Sequence, residues 1–244
     1  EPGYGAQPPS QFGGTDPGLN RQLYGVEIAR CPYNYYLTNG TDNDLMTEGF
    51  QPVPASCNGL ASSVITIKVM PEGFYNTVTQ KLNMKDTVKA YLHSSISPYP
   101  VLDSSAAVID SVSFAGIFTF TQPTGTYYIV VKHRNSLETW SKAGGEPFVA
   151  STMMTYDFTD LSSKAYQNNM IQVDASPVRF GIYSGDVTRD GTIDLSDIIE
   201  VSNDAAIFMS GYNKTDVTGD NITELADLLI TYNNNALGIS VKKP

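Results

Sequence analysis

The sequence predicts a mainly β protein, an antiparallel β-sandwich followed by a small α-helical module built on two cation-binding loops. Three observations predict it. Between residues 62 and 183, apolar and polar residues alternate in short runs; no stretch there carries a helical apolar period; and an aspartate-rich duplication occupies residues 184–244.

Residues 1–22 hold four prolines and five glycines and little apolar periodicity, which reads as an extended or mobile arm. In an assembling protein such an arm would add along a neighbour's exposed strand edge. Residues 23–60 offer short strands over 24–29 and 33–37, interrupted by Asn39-Gly40, Pro52 and Pro54, and read as an irregular β-containing flap. Cys31 and Cys57 lie within it. In an exported protein they are expected to pair as a disulfide, and otherwise they are two unpaired residues.

The texture changes at Ser62. Ile65, Ile67 and Val69 alternate with Thr66 and Lys68, and Val88, Ala90 and Leu92 alternate with Lys89 and Tyr91, the period of a sheet with one face buried. Residues 106–110 and 113–121 follow closely enough to predict a hairpin. Pro123-Thr-Gly125 supplies a turn before a strand over 127–134, and Gly144-Gly145 and Pro147 interrupt the pattern. Strands resume over 149–157, 170–173 and 178–183. The expectation for residues 61–183 is an antiparallel sandwich, immunoglobulin-like or transthyretin-like, with the strand order open.

Residues 184–244 carry the chemistry. Asp186-Val-Thr-Arg-Asp190-Gly191-Thr-Ile193-Asp194-Leu-Ser-Asp197 is followed 30 positions on by Asp216-Val-Thr-Gly-Asp220-Asn221-Ile-Thr-Glu224-Leu-Ala-Asp227. Oxygen-bearing side chains recur at loop positions 1, 3, 5, 9 and 12, the spacing that wraps a short loop around a hard cation. In loop one the expected ligands are Asp186, Thr188, Asp190 and Asp197, with the Thr192 carbonyl and, through water, Asp194. In loop two they are Asp216, Thr218, Asp220, the Ile222 carbonyl, Glu224 and Asp227. Gly191 and Asn221 stand at position 6, where a positive φ is needed. Two calcium ions are the expected cofactors, since a flexible cage of oxygens suits calcium better than the smaller magnesium. Helices are expected over 197–208 and 227–237, two copies of a unit too small to bury its apolar stripe alone.

Composition excludes several classes. The net charge is −10, with 25 acidic and 15 basic residues, which argues against nucleic acid and anionic membrane surfaces as partners. Residues 184–244 hold ten acidic and four basic side chains, so six of those net charges lie there. No run of 18 apolar residues exists to serve as a transmembrane segment. Sparse lysine and arginine beside abundant Thr, Ser, Asn, Gly and Tyr favour a secreted, extracellular or cell-surface protein, and the chain, opening on Glu1, reads as a mature or cut product. His93 and His133 lie in no nucleophile or metal motif, so no catalytic residue is assigned. Trp140 is expected to cover one end of the sandwich core, and the alternative is that His133, Arg134 and Trp140 form a ligand site for a carbohydrate.

The duplicated segment beginning Gly185-Asp-Val-Thr-Arg-Asp-Gly-Thr-Ile-Asp-Leu-Ser-Asp197 resembles the paired EF-hand-like calcium loops and helices of type I dockerin modules. The resemblance implies calcium ligation through Asp186, Thr188, Asp190 and Asp197, and through Asp216, Thr218, Asp220 and Asp227. Thr stands at position 3 where that family commonly has Asn or Asp. Dockerins attach secreted proteins to cohesin partners, often through a Ser-Thr pair at positions 10 and 11; here those positions are Leu195-Ser196 and Leu225-Ala226. Residues 61–244, through stretches such as Pro71-Glu-Gly-Phe-Tyr-Asn76, Tyr127-Tyr-Ile-Val-Val-Lys-His-Arg-Asn-Ser-Leu-Glu-Thr-Trp140 and Ala165-Tyr-Gln-Asn-Asn-Met170, are similar to C-terminal regions of secreted or surface proteins of Bacteroidetes-like bacteria. That similarity implies a sandwich running directly into a dockerin-like pair. Two functions follow as expectations. The first is a calcium-stabilised, non-catalytic structural subunit of a surface layer, filament or appendage, self-associating or joined to another surface protein. The alternative is an adhesion or carbohydrate-binding module docked to a protein partner through its dockerin-like end.

Overall fold

The structure, a computed structural model, describes residues 35–37, 50–52 and 62–244. The expected arm over 1–22, the rest of the flap over 23–60 and the Cys31–Cys57 pairing lie outside the described residues. Within the first unit, strand β1 (Tyr35–Leu37) pairs antiparallel with β2 (Phe50–Pro52).

The second unit, Ser62–Pro244, contains sandwich and loop–helix pair together. Its first strand, β3 (Ser63–Lys68), realises the alternation read from sequence: Ile65 and Ile67 are fully buried while Val64, Thr66 and Lys68 are partly exposed. Two short strands, β4 (Tyr75–Asn76) and β5 (Lys81–Leu82), form a small hairpin. The larger sheet is built from β6 (Asp86–Ser94), β7 (Val101–Ile109), β9 (Gly125–Lys132), β10 (Thr139–Trp140) and β11 (Glu146–Phe148), in the order β10-β9-β6-β7, with β11 also on β9. The smaller sheet has the order β12-β3-β8, with β8 at Ala115–Phe120 and β12 at Met153–Asp157. A last hairpin joins β13 (Ile171–Ala175) to β14 (Val178–Gly181).

One core lies between the two sheets. It joins Ile65, Ile67, Phe118 and Phe120 of the smaller sheet to Val88, Leu92, Ile129 and Val131 of the larger. Each such side chain, taken from water, contributes about 1.5–3 kcal/mol. β9 is buried on both faces, because Tyr128 and Val130 pack outward against Trp140 on β10, Tyr166 and Val241. That second burial explains its near-continuous apolar run.

Three expectations are corrected. The segments read as a hairpin over 106–121 belong to different sheets: β7 pairs with β6, and β8 pairs with β3. A tight turn joins them, with the Asp110 carboxylate accepting from the Val112 and Ser113 N–H groups. The chain turns sharply there yet crosses between layers. Second, the sandwich is not wholly antiparallel, since β12 runs parallel to β3. Third, the stretch broken by Gly144-Gly145 and Pro147 contains β11; Pro147 is exposed on this outer strand, where a missing N–H is tolerated.

The duplication forms two helices, α1 (Leu195–Ala205) and α2 (Leu225–Ala236), each starting two residues before the expected position. The cause is local. Asp194 and Glu224 stand at the N-caps, and Asp197 and Asp227, three residues on, accept from their N–H groups at 2.9 and 2.7 Å. Val187, Val201 and Val217 form a core of their own between the copies. Each loop also pairs with the segment after the other copy's helix. Ile193 N–H donates to the Ile239 carbonyl, and Thr223 N–H to that of Met209, the same contact displaced by 30 residues.

Candidate functional site

The loop sequences fold into matched turns. In loop one, the Asp186 carboxylate accepts from the N–H groups of Asp190 and Gly191, both at 3.2 Å. In loop two, Asp216 accepts from those of Gly219, Asp220 and Asn221 at 2.7–3.1 Å. Gly191 has φ +94 and Asn221 φ +75, the left-handed conformation expected at position 6. At position 5, Asp190 and Asp220 each accept from the N–H two residues on. At position 12, Asp197 accepts from Thr188 N–H and Asp227 from Thr218 N–H, so both ends of each loop are tied together.

The electrostatics are strained. Asp186, Asp197, Asp216 and Asp227 are all at most 2% exposed. Burial, with Asp197 nearby, pushes the Asp186 carboxyl up to about 6; burial, with Asp216 nearby, raises that of Asp227. The position-3 hydroxyls of Thr188 and Thr218 are buried without a hydrogen-bond partner, at equivalent places in the two loops. No backbone N–H among the described residues donates to the Thr192 or Ile222 carbonyl. Crowded carboxylates, an orphaned hydroxyl and a vacant carbonyl in each loop are the donor set a hard divalent cation requires. Carboxylates alone do not supply it: among the described residues, no three His, Cys, Asp or Glu side chains converge as a ready-made metal cluster. Asp194, expected to act through water, caps α1 by accepting from Ser196 N–H at 2.7 Å.

The other expected site does not assemble as read. Trp140 is 4% exposed and packs against Tyr128 and Val130, with the His93 ring 4.3 Å away, so it presents no stacking face to solvent. The physical reason is β9, whose outward aromatics need cover. His133 is buried, which lowers its pKa and keeps it neutral; it bridges the Ser136 hydroxyl and the Asp86 carboxylate at 3.1 Å each.

Arg134 has a role that sequence reading missed. Its Nε donates to Asp86 at 2.6 Å and its Nη2 to Asp216 at 3.4 Å, while the guanidinium stacks on Phe74 and Tyr212. The Tyr212 hydroxyl donates to the same Asp86. Burial opposes ionisation of Asp86, but hydrogen bonds from His133, Tyr212 and Arg134 outweigh it and hold the carboxyl well below its usual range. Arg134 thus joins the sandwich to Asp216 at the first position of loop two. Asn135 Nδ2 donates to the Asp216 carbonyl at 2.6 Å, and Asn83 Nδ2 to that of Thr218 at 2.8 Å. The Arg134-Asn135 dipeptide directly after an apolar strand was the available signal, but its partner lies 82 residues away.

Both helices leave an apolar face outward. Leu195 and Ile199 on α1 are 64% and 51% exposed, and their counterparts Leu225 and Leu229 on α2 are 73% and 53% exposed. No helix among the described residues is long and apolar enough to cross a membrane, which leaves β-barrels aside.

No protein-family model matches the chain, and no curated protein matches it. Among solved structures, the chain is similar to a type II cohesin–X-dockerin complex from Acetivibrio cellulolyticus, a C-terminal interface mutant, at 17% identity and a TM-score of 0.42. That match covers 72% of this chain and 95% of the other. It is also similar to an N-terminal interface mutant of the same complex type from that organism, at 16% identity and a TM-score of 0.39, over 75% of this chain and 96% of the other. At these values the assignment of a mainly β sandwich rests on the strand pairing itself.

Proposed function

We propose that this chain is a non-catalytic protein–protein docking module of an extracellular assembly, with its binding end braced by two calcium ions. The observation that carries the reading is the pair Leu195 and Ile199 on α1 and its counterpart Leu225 and Leu229 on α2, all more than half exposed and occupying equivalent positions of the duplication. The solvent face of a helix is ordinarily polar, so an exposed apolar pair one turn apart, repeated on both helices, points to an interaction surface. Leu195 and Leu225 are the position-10 residues at which the resemblance to dockerins implies partner recognition. The same place on the fold therefore keeps a docking role with apolar in place of hydroxyl chemistry. Calcium would be held by Asp186, Thr188, Asp190, Asp197 and the Thr192 carbonyl, and by the matching set in loop two. The ions supply counter-charge to buried carboxylates and so fix the two helices that carry the leucines.

Binding of the calcium-saturated full chain to immobilised type I and type II cohesin modules tests this, against a Leu195→Asp/Leu225→Asp variant. Binding by the natural chain, lost by at least tenfold in the variant at unchanged calcium content, is expected. Binding that the variant retains sinks the assignment to this face. A second reading, self-association into a layer or filament, is favoured by β7, which lies at the edge of the larger sheet and exposes Val101, Leu102 and Val108. Electron microscopy with and without calcium separates the two, since ordered polymers are the outcome only the second predicts.

A further inference from the structure

We propose that the cleft between the outer face of β6 and β9 and the loop–helix pair binds an acidic sugar, with its carboxylate at Lys89 and Arg189 and its ring against Tyr212. The cleft has a volume of about 260 Å³, and Lys89, Tyr91, Lys132, Arg134, Arg189 and Tyr212 line it. Thr87 and the buried His133 complete the wall, and on a chain of net charge −10 four of the eight lining residues are cations. They do not all serve to neutralise neighbours. Arg134 is committed to Asp86 and Asp216, and Lys132 pairs with Glu138 at 2.8 Å. Lys89 and Arg189 have no ion-pair partner among the described residues. Lys89 also sits directly opposite Lys132 in the β6–β9 register. Glu138 offsets the charge of Lys132, which leaves Lys89 as the cation of this facing pair without a counter-charge among the described residues.

The aromatic wall selects the class of anion. Tyr212 is 61% exposed, yet it is fixed in place: its hydroxyl is bound by Asp86 and its ring lies 4.4 Å from the Arg134 guanidinium. An exposed ring held rigidly at the mouth of a cationic cleft is a platform for the C–H face of a pyranose, at low entropic cost. The volume lies below the roughly 300–1,000 Å³ of pockets for drug-sized ligands, which limits the occupant to about one ring. A single pyranose bearing one carboxylate, a uronate residue, satisfies the charge, the platform and the size together. This site is distinct from the exposed apolar pairs on α1 and α2, so the docking reading and this one stand or fall separately.

The test is titration of the full chain in saturating calcium with methyl β-D-glucuronoside, followed by NMR. Methyl β-D-glucoside and inorganic phosphate serve as the neutral and non-sugar arms. Saturable binding with a Kd of about 1 mM is expected for the glucuronoside, at least tenfold weaker for the glucoside. Lys89→Gln and Arg189→Gln, both at exposed side chains, should each weaken binding about threefold to fivefold with calcium content unchanged. Equal binding of the glucoside removes the acidic requirement, and phosphate competing as strongly as the glucuronoside removes the sugar; either overturns the proposal. No saturable binding, or binding indifferent to both substitutions, overturns it as well.

Discussion

Loop two is gripped by the sandwich at the Asp216 carboxylate, the Asp216 carbonyl and the Thr218 carbonyl, whereas Asp186 of loop one accepts only from its own loop. A Cβ built on Gly219 would lie 2.8 Å from the Phe74 ring, while one on Gly191 would meet only Val241 of the C-terminal tail, at 3.3 Å. The same ligand pattern is thus set in two environments. One loop has a fixed cation, Arg134, beside its first carboxylate; the other faces a cavity shared with Lys132 and Arg189. The comparison teaches that a duplicated motif need not be duplicated in its surroundings: the position-1 carboxylate is held from the sandwich in loop two, and only from within its own loop in loop one.

The largest expected effect comes from cutting the tie. Arg134→Ala leaves Asp86 and Asp216 buried without their cation, which costs about 3–5 kcal/mol. At this chain length that lowers Tm by roughly 10 °C in a calorimetric scan. Calcium should soften the loss, because an ion at loop two neutralises Asp216 directly. Equal losses with and without calcium would show that Asp216 gains nothing from the metal. The same node sets an acid limit. Asp86 has its folded-state pKa held below the unfolded value of 3.8, so its contribution is present above that pH and is lost as pH falls below it. Asp86→Asn should flatten the decline in stability below pH 3.8.

Calcium removal comes next. An ion at a hundredfold excess over its Kd contributes about 2.7 kcal/mol, so a chelator should lower Tm by several degrees. Hydrogen exchange separates the loops: the amides of residues 186–197 should lose more protection than those of 216–227. Equal loss, or none, breaks the contrast between the two environments.

Sequence and structure part company in an instructive place. The strands of the sandwich, the two loops and the position-6 residues were legible because each depends on neighbours within a dozen residues. Alternation at Ile65 and Ile67 dictates a buried face wherever the strand pairs. What the alternation does not encode is the pairing. Segments 106–110 and 113–121 have the local marks of a hairpin, yet Phe114 turns at φ +63 and sends β8 to β3, 47 residues upstream. Likewise β12 lies parallel to β3 because the chain crosses over between them, which composition cannot report. The sequence places Arg134 in a candidate ligand site and does not show its structural role, because its two carboxylate partners are 48 and 82 residues away. Trp140 covers an aromatic face created by the outward burial of Tyr128, and which face it covers is a property of the assembled sheet.

The smallest effect is the sharpest about the metal itself. The Thr188 and Thr218 hydroxyls are buried without partners, a state that costs about 1–3 kcal/mol for each group unless an ion receives its lone pair. Thr→Val keeps the shape and removes the hydroxyl. Without calcium, Thr188→Val should therefore leave stability unchanged or raise it by about 1 kcal/mol, while in calcium it should weaken ion binding several-fold in a direct titration. The opposite signs distinguish a ligand from a packing residue, which would lose stability in both conditions. Thr218→Val should show the same pair of signs with a smaller change in calcium affinity. The contacts from Arg134, Asn135 and Asn83 keep loop two in shape when one ligand is gone, and loop one has no such contacts at Asp186.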